Sequence, residues 1–159
     1  MGRPFNFAAG PSMLPESVLK SVSDAVIDYE GHGYSILEMM HRKPPFEAIL
    51  LELKSRVKSL LAVPDDFEIL FCPGGGKTQF AMVPLNFMTT GKADYIVTGN
   101  FSNLAAKEAA KFGEAKIVAS SKDRNFTYIP DVNAIDYDKD ASYIHICQNN
   151  TIFGTQYVE

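Results

Sequence analysis

The sequence runs to 159 residues, 46% hydrophobic and 21% charged, the profile of one soluble globular domain or a piece of a larger one. A net charge of -4, from 15 Lys plus Arg against 19 Asp plus Glu, excludes nucleic-acid binding by sheer basicity, and no apolar run approaches the roughly 20 residues that span a bilayer. Two cysteines, Cys72 and Cys147, and three scattered histidines supply neither a disulfide framework nor a metal-ligand spacing; the expectation is a cytoplasmic chain without metal, its thiols buried.

Residues 1–14 read as an ordered N-terminal arm, small and turn-rich through Phe5-Asn6-Phe7-Ala8-Ala9-Gly10-Pro11. Pro15 then suits the first turn of a helix with Glu16 at its dipole-favoured end. Val18, Val22, Val26 and Tyr29 form its apolar stripe, and Gly31 and Gly33 close it. Pro44 and Pro45 open a second helix, marked by Phe46, Ile49, Leu50, Leu53, Val57, Leu60 and Leu61 at helical spacing and stopped by Pro64.

Residues 67–72 form a strand-like run that leads into Pro73-Gly74-Gly75-Gly76-Lys77-Thr78 and a further helix reaching Met88. Residues 95–97 predict a second strand. A helix over 102–112 is closed by Gly113 at the position helices favour, and residues 116–119 and 143–147 are further strands. Strands alternating with helices predict an α/β fold with a mostly parallel sheet flanked by helices. The polar stretch 131–140 reads as a surface connection. With no closing helix before Glu159, residues 15–159 read as part of a domain that is interrupted.

Chemistry concentrates at the strand, glycine loop, helix passage of residues 69–88. Three consecutive glycines let the backbone turn tightly and approach a ligand, while the helix's first N–H groups and Lys77 favour an anion, for which phosphate is the expected species. The bland alternative is a glycine turn with nothing bound. A Walker A loop is excluded, because it requires a glycine at position 71, where Phe71 stands.

His41-Arg42 lies in a polar break between two helices, where an arginine can clamp a carboxylate or phosphate through its fork or simply be solvated. Phe101 follows the strand ending at Thr98, at the carboxyl edge where α/β sheets bind ligands. It is either a stacking surface for a flat ring or a core residue. Asn149-Asn150-Thr151 occupies the equivalent place after the last strand and offers short hydrogen-bonding groups, or a plain turn. His145, within that strand, is expected to be a satisfied core histidine.

Together these segments resemble the N-terminal portion of the phosphoserine aminotransferase family, class-V aminotransferases of the fold-type-I pyridoxal-phosphate group. The likeness rests on residues 5–11 with Leu14-Pro15, His41-Arg42, Gly74-Gly75-Gly76 with Gln79-Phe80 and Val83-Pro84-Leu85-Asn86, Thr98-Gly99, and residues 149–154. It implies an incomplete large domain of that fold and a transfer of the amino group from glutamate to 3-phosphohydroxypyruvate, in serine biosynthesis, by a homodimer using pyridoxal 5'-phosphate.

The resemblance places Gly76 and Lys77 on the cofactor phosphate, Thr151 in hydrogen bond to the cofactor and Phe101 against its ring. Arg42, with His41, would hold an anionic end of the substrate, partly across a dimer interface, and Ala9 would lie where the arm approaches it. Phe101 stands where the family usually has tryptophan, and Ala9 where it usually has serine. None of the lysines matches the family's Schiff-base position, so the expectation is that no residue here is catalytic and that this chain alone does not transaminate. It is then a fragment of an active aminotransferase or, alternatively, a non-catalytic truncated paralogue that binds or dimerises.

Overall fold

The structure is a computed structural model that describes residues 3–8 and 10–158. It separates into two compact units, Met1–Phe71 and Cys72–Glu159.

In the first unit the two expected helices form. Helix α1 spans Glu16–Ile27 behind an extended Pro15. Helix α2 spans Pro44–Leu60 with proline at its first two positions, where a missing N–H costs nothing. A short turn of 3-10 helix, Ile36–Glu38, is capped by Ser35: the Leu37 N–H donates to Ser35 Oγ at 3.1 Å and the Ser35 N–H to Glu38 Oε2 at 3.0 Å. The Val18 and Val22 stripe of α1 meets Ile36 of this turn, but neither α1 nor α2 buries a residue fully. The segment after α2 is tied back to it by Lys54–Glu68 (2.6 Å) and Lys58–Asp65 (2.8 Å) ion pairs.

The strand expected at 67–72 does not form. An extended segment becomes a strand only by pairing in a ladder, and no neighbour pairs with it among the described residues. Phe67, Leu70 and Phe71 are 61%, 73% and 51% exposed. Cys72 is therefore exposed instead of buried, and Cys147 is only half-buried; both thiols are free.

The second unit is built on strand β1, Lys92–Val97, which pairs in parallel with β2, Glu114–Ser120, on one side and with β3, Ile144–His145, on the other. Helix α3, Gln79–Phe87, precedes β1, and α4, Asn100–Ala109, crosses from β1 to β2. Helix α4 starts before the expected 102 and ends before 112, with Ala110 and not Gly113 at its C-cap, because the Lys111 and Phe112 N–H groups bond back to Glu108 and Ala109 in tighter turns. Ala93 through Val97 are all buried, as a central strand covered on both faces must be. α4 turns Ser102, Ala105, Ala106 and Ala109 inward; these small side chains let helix and sheet lie close together. Strand β3 is shorter than the expected run 143–147, because as the sheet's outer strand it leaves Ile144 and Ile146 about half exposed.

The connection 131–140 is anchored at the amino end of β1. The Asp138 N–H donates to the buried Asp94 Oδ2 at 2.7 Å, and Lys92 Nζ pairs with Asp138 at 2.8 Å and Asp140 at 3.6 Å. The hydrogen bond to Asp138 raises the Lys92 pKa, and the same contact lowers that of Asp138. Among the described residues, no helix is long and apolar enough to cross a membrane.

His145 departs from expectation. Its ring stacks on Tyr95 at 5.0 Å and meets the edge of Phe80 at 6.3 Å, yet its Nδ1 is buried without a hydrogen-bond partner. Burial holds its pKa below the ordinary 6.5. With the folded value depressed, the unfolded chain takes up the proton first as pH falls. The stabilising contribution is therefore complete above about pH 6.5 and lost on acidification. His145→Phe should flatten the loss of stability between about pH 6.5 and 5 in urea melts; a wild-type curve already flat across that window would count against this.

Candidate functional site

The glycine loop is shaped by close approach. Gly74 has φ +90°, in the left-handed region that favours glycine, and a Cβ there would also crowd Thr78 Oγ1. Gly75 is extended and leads into a 3-10 turn, Gly76–Thr78, in which the Thr78 N–H donates to Gly75 O at 2.9 Å. The turn continues directly into α3. Gly76 and Lys77 thus open a helix, and their N–H groups have no backbone acceptor among the described residues, as the first turn of any helix leaves them. Lys77 is exposed, and its ammonium makes no ion pair among the described residues.

The second part of the site is the carboxyl end of β1. Thr98 is fully buried there, and Ser102 Oγ accepts from the Thr98 and Gly99 N–H groups, each at 3.0 Å, while donating to Gly99 O at 3.0 Å. This serine pins the turn from which α4 starts and so sets the position of Phe101. The Phe101 ring is half-buried and has no aromatic partner among the described residues.

Facing this turn is a small antiparallel hairpin of β4, Asn149–Asn150, and β5, Thr155–Gln156. The Gly154 N–H closes its loop onto Asn150 O at 2.7 Å, leaving Thr151 exposed on the loop. Thr151 lines a recess of about 340 Å³ with Asn149, Asn150, Gly154, Thr155 and Gln156. Thr155 Oγ1 is buried without a partner, a polar group that sequence reasoning passed over. The Cys147 thiol contacts Asn149 O at 3.5 Å, and burial pushes its pKa up, which disfavours the thiolate and any nucleophilic role.

The structure splits the Asn149-Asn150-Thr151 group. Asn150 is only 4% exposed, and its Nδ2 donates to Thr98 Oγ1 at 3.0 Å; it is engaged with the protein, not offered to a ligand. That contact brings Thr151 and Phe101 to the same sheet edge. Gly76 and Lys77 open the helix that packs against α4. His41 and Arg42 belong to the first unit, in the turn before α2, where the His41 ring meets Phe46 edge-on at 6.5 Å and Arg42 is exposed without an ion pair among the described residues. Ala9 lies outside the described residues.

These features fit a phosphorylated ligand with a flat ring: helix N–H groups and an ammonium that have no partner among the described residues for the phosphate, and an aromatic face and a hydroxyl at the neighbouring sheet edge.

The family described as Aminotransferase class-V matches residues 4–158. Phosphoserine aminotransferases of Geobacillus kaustophilus and Desulfosudis oleivorans are each 47% identical, over 100% and 99% of this chain and 44% of their own length. Among solved structures, the phosphoserine aminotransferase of Bacillus circulans subsp. alkalophilus superposes with a TM-score of 0.86 at 39% identity, over 99% of this chain and 44% of that one. A PLP-bound phosphoserine aminotransferase from Trichomonas vaginalis does so at 29% identity and TM-score 0.86, over 99% and 45%. The chain thus spans less than half the length of the relatives it matches, and the likeness bears out the expected fold class.

Proposed function

The chain belongs to the class-V aminotransferase family, and from that premise we propose that it carries part of the active site of a phosphoserine aminotransferase. The proposed reaction converts 3-phosphohydroxypyruvate and L-glutamate to O-phospho-L-serine and 2-oxoglutarate, in cytoplasmic serine biosynthesis. The observation that carries the reading is the opening of α3, where, among the described residues, the Gly76 and Lys77 N–H groups lack backbone acceptors beside an ammonium without an ion pair. A phosphate dianion there gains charge-assisted hydrogen bonds and the favourable end of the helix dipole.

When bound, pyridoxal 5'-phosphate supplies the electron sink for amino-group exchange. The chain's own residues bind and orient. Gly76 and Lys77 grip the phosphate, Phe101 lies against the ring, and Thr151 offers a hydroxyl to a polar ring substituent. Arg42 receives a carboxylate or phosphate of the substrate, with His41 beside it and Ala9 on the arm, in a homodimer where part of this contact crosses between subunits. In this reading residues 1–14 are the arm and residues 15–159 part of the large domain.

No lysine here matches the family's covalent position, so the chain by itself holds the cofactor reversibly. Titration of the purified chain with pyridoxal 5'-phosphate should give saturable binding that inorganic phosphate displaces, and borohydride should trap no single lysine. A stoichiometric adduct on one lysine with turnover of glutamate would overturn the reversible-binding claim, whereas absence of any phosphate-competed binding would overturn the reading itself. That second result would favour the paralogue with a binding or dimerising role.

A further inference from the structure

We propose that Asn150 is a positioning residue whose buried carboxamide latches the hairpin bearing Thr151 to the β1–α4 turn bearing Phe101. The consequence for ligand binding rests on the cofactor reading above; the latch itself rests on geometry alone. A two-stranded hairpin is marginal by itself in water, and here each strand is only two residues long. Its placement must therefore come from contacts outside it. Phe153 supplies one by packing its ring on Phe126 at 4.9 Å, an apolar contact with little directional preference. Asn150 supplies a directional one.

Asn150 faces two ways. Its main-chain carbonyl accepts from the Phe153 and Gly154 N–H groups, at 3.1 and 2.7 Å, and so holds the inside of the loop on which Thr151 sits. Its side chain faces Thr98 with both ends: Nδ2 donates to Thr98 Oγ1 at 3.0 Å, and Oδ1 lies 3.3 Å from the same hydroxyl. Thr98 is immobilised in turn by its N–H bond to Ser102 Oγ at 3.0 Å. Gly99 completes the device, because a Cβ at that position would stand 2.6 Å from Asn150 Oδ1 and 3.2 Å from its Cγ. The hairpin can seat only against a residue without a side chain. Aspartate at 150 would present acceptors alone and a buried charge, and serine would not span the gap, so the site requires a short side chain with a donor and an acceptor.

The test uses Asn150→Ala, Gly99→Ala and the double variant in the full chain, with two readouts. The first is hydrogen exchange over residues 149–157 without cofactor. The second is equilibrium affinity for pyridoxal 5'-phosphate. Each single variant should speed exchange in the hairpin and weaken the affinity about tenfold, as expected when a buried hydrogen bond that fixes two contact groups is lost.

The double variant should be no worse than either single, because alanine at 150 removes the atoms that a methyl at 99 would strike. Lys92→Met, which breaks the Lys92–Asp138 pair at the opposite end of β1, controls for general destabilisation and should leave affinity within about twofold of wild type. Additive effects of the two alanines, or unchanged hairpin exchange in both singles, overturn the latch. Faster exchange with unchanged affinity overturns its role in ligand placement. A wild-type chain that binds no pyridoxal 5'-phosphate overturns the cofactor reading instead, and the latch then stands or falls on exchange alone.

Discussion

Tyr95→Ala should cost about 4 kcal/mol of folding stability, the scale of a large aromatic deleted from a packed core, and a domain with about 5–15 kcal/mol in total would be left marginal. Tyr95 is 1% exposed at the centre of the central strand. Its ring stacks on His145 at 5.0 Å and meets the Tyr143 edge at 6.0 Å, and its hydroxyl lies 2.7 Å from that of Tyr143. Alanine would leave a cavity beneath α4, whose alanines are too small to fill it, and would strand the Tyr143 hydroxyl. Tyr95→Phe keeps the ring contacts and should cost only about 1 kcal/mol, the net worth of one hydrogen bond.

The two variants also separate on pH. Burial, and then the hydrogen bond with Tyr143, hold the Tyr95 pKa far above the ordinary 10.0. A raised folded value means that the unfolded chain loses its proton first. The contribution is therefore complete below pH 10 and declines as pH rises beyond it. Tyr95→Phe should remove that part of the alkaline decline, read by denaturant melts followed by circular dichroism between about pH 8 and 11. A loss below about 1 kcal/mol for Tyr95→Ala would show that the ring is not a keystone of this sheet.

How legible these features were in the sequence depended on whether they were local. The prolines opening α2 and the apolar spacing of its face act within a few residues, and that helix formed where they pointed, whereas the alanines of α4 marked a helix but not its ends, which lie at Asn100 and Ala109 instead of 102 and 112. β1 was legible only from Tyr95, because the buried Asp94 breaks the apolar run, and its partner is the backbone of Asp138, 44 residues on. The run 67–72 has the composition of a strand but finds no ladder among the described residues, and composition cannot supply one. The Thr98–Asn150 bond joins residues 52 apart. Read singly, Asn150 was one polar residue among three, and Gly99 a turn glycine. Only folding shows that one is required by the other. The glycine loop was legible because its chemistry is contained in five consecutive residues.

Gly76→Pro should weaken pyridoxal 5'-phosphate binding about tenfold with the melting temperature almost unchanged, an unusual pairing that follows from the position of the residue. Gly76 is the first residue of the turn that opens α3. Proline is favoured at a first helical position because the N–H it lacks has no partner there, and a Cβ on Gly76 would meet nothing within 4 Å. The residue before a proline must be extended, and Gly75 already is, with φ -94° and ψ 178°. Among the described residues the fold loses no backbone hydrogen bond, while the ligand loses one donor. Lys77→Gln removes the charge and leaves the backbone donors, so it should also reduce the salt dependence of binding. Comparing the phosphate ester with pyridoxal, which lacks the phosphate, isolates the effect: both substitutions should shrink the ratio of the two affinities and leave pyridoxal binding alone. If Gly76→Pro leaves that ratio intact, the N–H groups of this turn do not hold the phosphate, and the anion site must be sought elsewhere on the sheet edge.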